Sequence, residues 1–273
     1  MWPAARSPSI SASINADNAS IYQAVIGGNG NDGGTITLTV IPDEGYELDT
    51  LAVTDNQGSQ RKLTSLGGGK YTFTMPSGSV TVSAVFTRIL LFVDVDKASW
   101  YTDAVRYVYD CGLMNGTDTD RFSPDSTASR AMIATVLWRM AGSPVVSDAL
   151  PFADVADGTW YTDAVCWASA AGIVDGYGDG TFGPDDPVTR EQLAAMLYRY
   201  AQFRGYDVSV GEYANILSYS DAQNVSEWAL SAMQWACGAG IVNGCASQLN
   251  PQNDATRVEI AAMLMRFGEL YNP

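Results

Sequence analysis

From about Thr35 to Phe86 apolar and polar residues alternate. Ile36, Leu38 and Val40 interleave with Thr35, Thr37 and Thr39; Tyr71, Phe73 and Met75 with Thr72 and Thr74; Val80, Val82, Ala84 and Phe86 with Thr81, Ser83 and Val85. A period of two puts successive side chains on opposite faces, so these segments predict half-buried strands. Turn formers separate them: Pro42-Asp43-Glu44-Gly45, Asp55-Asn56-Gln57-Gly58, Gly67-Gly68-Gly69 and Pro76-Ser77-Gly78. The expectation is a separate all-β domain over residues 20–87, antiparallel and sandwich-like, with 1–19 a flexible tail or partial strand.

Beyond Phe86 the period becomes helical. Ile133, Val136, Leu137 and Met140 stand at i, i+3, i+4 and i+7; so do Leu193, Met196, Leu197 and Tyr200, and again Ile260, Met263, Leu264 and Phe267. Each set is one apolar stripe on a helix. A first helix is expected near Trp100, Trp160 and Trp228, stopped at Gly112, Gly172 and Gly240, where a left-handed glycine followed by an apolar residue ends a helix. Gly116, Gly176 and Gly244 follow four residues later and tighten the next turn. Asp94 to Arg130, Asp154 to Arg190 and Asp221 to Arg257 each span 36 positions, so a helix pair recurs three times in strict register. One pair has little to bury its stripe against. Three sharing a core predict one cooperative unit, with pairs at 88–142, 150–204 and 215–270.

Composition narrows the chemistry. The 273 residues carry 30 acids against 15 bases, a net charge of −15, which argues against nucleic acid or an anionic membrane as partner. No run approaches the length of a membrane span. The first residues, MWPAARSPSISAS, lack the apolar core of a signal peptide, so the chain is expected to be a mature or excised fragment. There is no histidine, which removes Ser–His and Cys–His nucleophile pairs and His-ligated zinc. Carboxylate-pair chemistry and oxygen-ligated metals stay open. Cys111, Cys166, Cys237 and Cys245 form no CxxC pair; the first two read as buried thiols, and the last two flank a turn and could pair. The loop Asp175-Gly-Tyr-Gly-Asp179-Gly lacks the alternate acids of a calcium loop, and turn chemistry explains it better. No cofactor or metal is called for.

The strings IPDEGYELDTLAVTD and GGGKYTFTMPSGSVTVSAVF resemble the small β-repeat domains of bacterial surface proteins, of the internalin B-repeat kind, which implies a spacer without chemistry of its own. The helix pairs read FVDV…WYTDAV…GLMNG…RFSP…SRAM, FADV…WYTDAV…GIVDG…TFGP…TREQ and YSDA…WALSAM…GIVNG…QLNP…TRVE. They resemble three tandem copies of the S-layer homology family, over about Phe92 to Phe267. The resemblance implies a mainly α fold class: a pseudo-threefold helical bundle with grooves between adjacent repeats. It also implies an extracellular setting, at the cell wall or S-layer of a bacterium, and non-covalent anchoring to a peptidoglycan-linked secondary polysaccharide. In many bacteria that polymer carries anionic pyruvate ketals. The arginine of the family's T-R-A-E motif, here Arg130, Arg190 and Arg257, is then the main ligand contact. The Asp early in each repeat (Asp94, Asp154, Asp221) and the glycine-loop backbone at Gly116, Gly176 and Gly244 support it.

Each arginine follows a Ser or Thr that can cap a helix, so it is read as the first helical residue, beside N–H groups that favour an anion. Its fork fits a carboxylate. The competing reading is a structural ion pair with the Asp of its own repeat. Thr256…Glu259 is a full capping box and Thr189…Gln192 an acceptable one, whereas Ser129 is followed by Met132; the family's Glu is missing there, which weakens the argument for Arg130. Trp100, Trp160 and Trp228 could stack on a sugar, though an aromatic at the start of a helix more often packs in the core. Two further readings compete with an anchor. One is the C-terminal part of a cell-surface glycoside hydrolase whose activity lies elsewhere. The other is an S-layer or adhesion protein whose β domain associates laterally with its like.

Overall fold

A computed structural model describes residues 10–12, 22–28, 33–43, 45–90, 92–146, 149–209 and 214–271. The chain divides into two compact units, residues 1–90 and 91–273. In the first, β1 (Ile10–Ala12), β2 (Tyr22–Gly28), β3 (Thr35–Pro42), β4 (Tyr46–Asp55), β5 (Thr64–Gly67), β6 (Lys70–Thr74) and β7 (Val80–Arg88) form two sheets, ordered β1-β7-β4 and β2-β3-β6-β5. All pairings within residues 20–87 are antiparallel, as expected; β1, from the stretch expected to be a tail or partial strand, pairs in parallel with β7. Most of the expected tail lies outside the described residues. The alternation closes the core as its period requires: Ile36, Leu38 and Phe73 from one sheet cluster with Val53 and Val80 from the other.

The second unit holds six α-helices among the described residues: α1 (Thr102–Asp110), α2 (Arg130–Met140), α3 (Thr162–Ala170), α4 (Arg190–Phe203), α5 (Leu230–Gly238) and α6 (Arg257–Tyr271). The stripes of α4 and α6 are fully buried; in α2 only Met140 is partly exposed. Gly112, Gly172 and Gly240 have positive φ, and Leu113, Ile173 and Ile241 behind them are buried, as the stop signals predict. Helix α2 packs on α3, α4 on α5, and α6 returns to α1. The same cyclic order appears in the short bridges Ser129 with Pro187, Thr189 with Asp254, and Thr256 with Thr127. Each repeat therefore leans on the next and the third closes onto the first, burying Ala128, Val188 and Ala255 where the segments meet.

All four cysteines are free thiols, so Cys237 and Cys245 are unpaired. Cys166 is buried as expected, but Cys111 is exposed: it is the C-cap of α1, past the last residue whose side chain faces inward.

Candidate functional site

The arginines begin α2, α4 and α6, and Ser129, Thr189 and Thr256 cap those helices through their hydroxyls. Yet the helix starts are not open. The N–H groups of Arg130 and Ala131 donate to Asp186 and Pro184 of the second repeat, those of Arg190 and Glu191 to Asn253 and Pro251 of the third, and those of Arg257 and Val258 to Ser126 and Pro124 of the first. With the cap taking a third donor, the N–H groups that would attract an anion are already satisfied. The sequence shows each repeat alone and so hides the partner that seals its helix start.

The arginine side chains cross the same seams and are only 5%, 7% and 6% exposed for Arg130, Arg190 and Arg257. Each Nε donates at 2.8 Å to a carbonyl of the next repeat: Arg130 to Phe182, Arg190 to Leu249 and Arg257 to Phe122. Each Nη2 reaches the preceding loop, Arg130 to the Asp175 carbonyl at 2.8 Å and Arg257 to that of Asn115 at 2.6 Å. The guanidinium of Arg130 also lies 4.9 Å from the Tyr177 ring centroid and 4.7 Å from that of Phe182, and that of Arg257 lies 4.6 Å from the Phe122 centroid. Carbonyls and ring faces compensate the buried charge. Burial lowers the pKa of Arg130, opposed by Tyr177 and by the carboxylates of Asp186, Asp154 and Asp175; burial lowers that of Arg257, opposed by Asp94. Both remain cations, because a guanidinium starts so far above neutral pH.

The aspartates hold the far side of the same residues. Asp94 accepts the N–H groups of Phe122 and Ser123, Asp154 those of Phe182 and Gly183, and Asp221 those of Leu249 and Asn250. Phe122, Phe182 and Leu249 are thus each gripped by a carboxylate at N–H and a guanidinium at C=O. No ion pair joins these aspartates to the arginines among the described residues. Burial pushes the Asp94 and Asp154 carboxyls up, but the paired N–H donors outweigh it and hold both below the usual range. Gly116, Gly176 and Gly244 owe their identity to crowding, not to a left-handed backbone. A Cβ would fall 2.6 Å from the Arg121 carbonyl oxygen at Gly116, 2.6 Å from Phe152 Cε1 at Gly176 and 2.8 Å from the Gln248 carbonyl oxygen at Gly244.

Trp100, Trp160 and Trp228 are 67%, 59% and 57% exposed, which corrects the expectation of core packing. They stand two residues ahead of α1, α3 and α5, outside the inward stripes, and Trp100 and Trp160 meet the neighbouring tyrosine edge to face.

Two crevices gather these parts. One, of about 550 Å³, is lined by Arg130 of the first repeat, Asp175 to Tyr177 with Gln192 and Arg199 of the second, and Trp228 of the third. The other, of about 220 Å³, is lined by Arg257 of the third, Asn115 and Gly116 with Met132 and Arg139 of the first, and Trp160 of the second. Every repeat contributes to both. Arg139 and Arg199 escaped the sequence reading although the signal was present: a second arginine follows the first by nine positions in each repeat, at 139, 199 and 266. The aspartates act from behind the loop, fixing the crevice wall. Among the described residues no cluster of three or more potential metal ligands occurs, and no helix is long and apolar enough to cross a membrane.

A family model described as S-layer homology domain matches residues 91–131, 151–194 and 218–261, and one described as divergent InlB B-repeat domain matches 11–90. An endoglucanase of a Bacillus species is 29% identical over 70% of this chain and 20% of its own length. An amylopullulanase of Thermoanaerobacterium thermosulfurigenes is 28% identical over 69% of the chain and 10% of its own length. The S-layer protein sap of Bacillus anthracis is 28% identical over 72% of the chain and 23% of its own length. The chain therefore spans between a tenth and a quarter of the length of these relatives.

Proposed function

The chain carries three tandem S-layer homology domains behind a divergent InlB B-repeat domain, and on that premise we propose that it is a non-catalytic anchor fastening a larger surface protein to the bacterial cell wall. The ligand is a peptidoglycan-linked polysaccharide bearing pyruvate ketals. It lies in the crevices between repeats, with its carboxylate on the guanidinium of Arg130 or Arg257 and a sugar face against Trp228 or Trp160. The β unit is a sandwich-like spacer in a mainly α chain, and the domain limits 20–87, 88–142, 150–204 and 215–270 belong to the same reading.

The observation that carries this reading is the composition of the crevices. In a chain of net charge −15, each gathers two arginines beside an exposed tryptophan; in the larger one Arg199 is paired with Asp175 at 2.8 Å, which leaves Arg130 to meet a ligand. A guanidinium fork suits a carboxylate, and an exposed indole offers a flat apolar face to a sugar ring. The chain shares stretches with proteins named for hydrolysis and for surface layers alike, as a common anchor would.

Co-sedimentation with purified cell walls tests it. Trp160→Ala with Trp228→Ala removes exposed groups, so folding should survive while wall affinity falls at least tenfold. Unchanged affinity in a folded double variant would refute the crevice assignment.

A further inference from the structure

The third residue of each second helix, Met132, Gln192 and Glu259, faces the arginine of the repeat before it. Met132 lines the crevice of Arg257, Gln192 lines that of Arg130, and Glu259 meets Arg190. Only Glu259 carries charge. Its Oε1 lies 2.7 Å from Arg190 Nη1, and the two side chains are 9% and 31% exposed for Arg190 and Glu259. Its Oε2 accepts the backbone N–H of Thr256 at 2.9 Å, closing the capping box of α6. Among the described residues, Nη1 of Arg130 and of Arg257 has no hydrogen-bond partner. The Arg190 guanidinium is also turned differently: its Nη2 lies 3.5 Å from the Asn243 carbonyl, against 2.8 Å and 2.6 Å for the matching bonds of Arg130 and Arg257.

We propose that Glu259 is a built-in occupant of the third inter-repeat site, so that the chain binds acidic sugar at two sites, Arg130 and Arg257, and holds the Arg190 site closed. This rests on the anchoring proposed above. A ligand carboxylate at Arg190 would have to displace an intramolecular carboxylate already fixed by a helix cap, and it would meet that carboxylate's repulsion. The Glu that looks like the mark of a complete motif in its own repeat thus disarms the arginine of the preceding one.

Glu259→Gln is the direct test, because Gln192 shows that glutamine supports the same box: the Thr189 N–H donates to its Oε1 at 3.1 Å. Gln192→Glu is the converse. In arginine side-chain NMR without ligand, the Nη1 protons of Arg190 should exchange with water more slowly than those of Arg130 and Arg257. Glu259→Gln should speed that exchange, and Gln192→Glu should slow it at the Nη1 of Arg130. Calorimetry with a methyl hexoside carrying a pyruvate ketal should give two sites in the parent, three in Glu259→Gln and one in Gln192→Glu. Equal Nη1 proton exchange for Arg190 and Arg130 in the parent, or two sites retained in Glu259→Gln, overturns the proposal. A parent that takes no glycoside refutes the anchoring reading instead, and the NMR result, which needs no ligand, still decides whether Glu259 holds Arg190.

Discussion

Arg257 closes the ring of repeats, and its removal measures what that closure contributes. Its Nε and Nη2 donate to Phe122 and Asn115 at 2.8 and 2.6 Å, across 135 and 142 residues of chain, and its charge lies over the Phe122 ring. A hydrogen bond to a charged group contributes about 1.5–3 kcal/mol, and a desolvated cation over a ring up to ~2 kcal/mol. These overlap, and deleting the side chain also relieves the cost of burying a charge, so Arg257→Ala should lose about 3–4 kcal/mol. For a unit of this size about 2–4 °C accompanies each kcal/mol, which places the fall in Tm at roughly 6–16 °C. Calorimetry of the full chain should show the helical transition shifted and broadened, since the third repeat loses its side-chain bonds to the first while its backbone bonds remain. Arg139→Ala is the control: that residue is exposed and makes one bond of 3.2 Å to the Leu113 carbonyl, so its Tm should stay within ~2 °C. If Arg257→Ala shifts no more than Arg139→Ala, the buried arginine does not bind the repeats together and the reasoning fails.

Leu193 is fully buried in α4, so Leu193→Ala should cost about 2–5 kcal/mol in urea unfolding. In Gly176→Ala the new methyl would meet Phe152 and the Thr181 carbonyl, which should cost ~1–3 kcal/mol by the same measurement and narrow the Arg130 crevice. Asp94 and Asp154 have folded pKa values below their unfolded ones, so the stability they provide is complete above the unfolded value near 3.8 and is lost as pH falls through the lowered folded values. Asp94→Asn with Asp154→Asn should therefore flatten the acid limb of a stability profile below about pH 5. Burial pushes the Cys237 thiol up to about 11, so iodoacetamide at pH 8 should leave it largely unmodified while exposed Cys245 reacts.

Much of this architecture is legible in the sequence because it is local. Alternation at Ile36, Leu38 and Val40 fixes which face of a strand is buried, the spacing of Leu193, Met196, Leu197 and Tyr200 does the same for a helix, and Ser129 and Thr189 mark helix starts by their own hydroxyls. The ring is not legible in this way. Arg130, Arg190 and Arg257 end on backbone carbonyls, which any residue supplies, and those of Phe182, Leu249 and Phe122 lie 52, 59 and 135 positions away. The competing reading of an ion pair between each arginine and the aspartate of its own copy fails for this reason: the two grip one residue from opposite sides and from different copies. The tryptophans are exposed because α1, α3 and α5 begin two residues after them, whereas an aromatic at the helix start is expected to pack in the core. Glu259 looks purely like a cap until Arg190 is seen beside it.

The central claim is that a sugar-borne carboxylate held by Arg130 and Arg257 fastens this chain to the wall. Equilibrium binding to one preparation of cell walls, before and after mild acid removes pyruvate ketals, tests it most directly. The account predicts at least a tenfold loss of affinity on the stripped walls, with the polysaccharide itself retained. Equal affinity for both would contradict it.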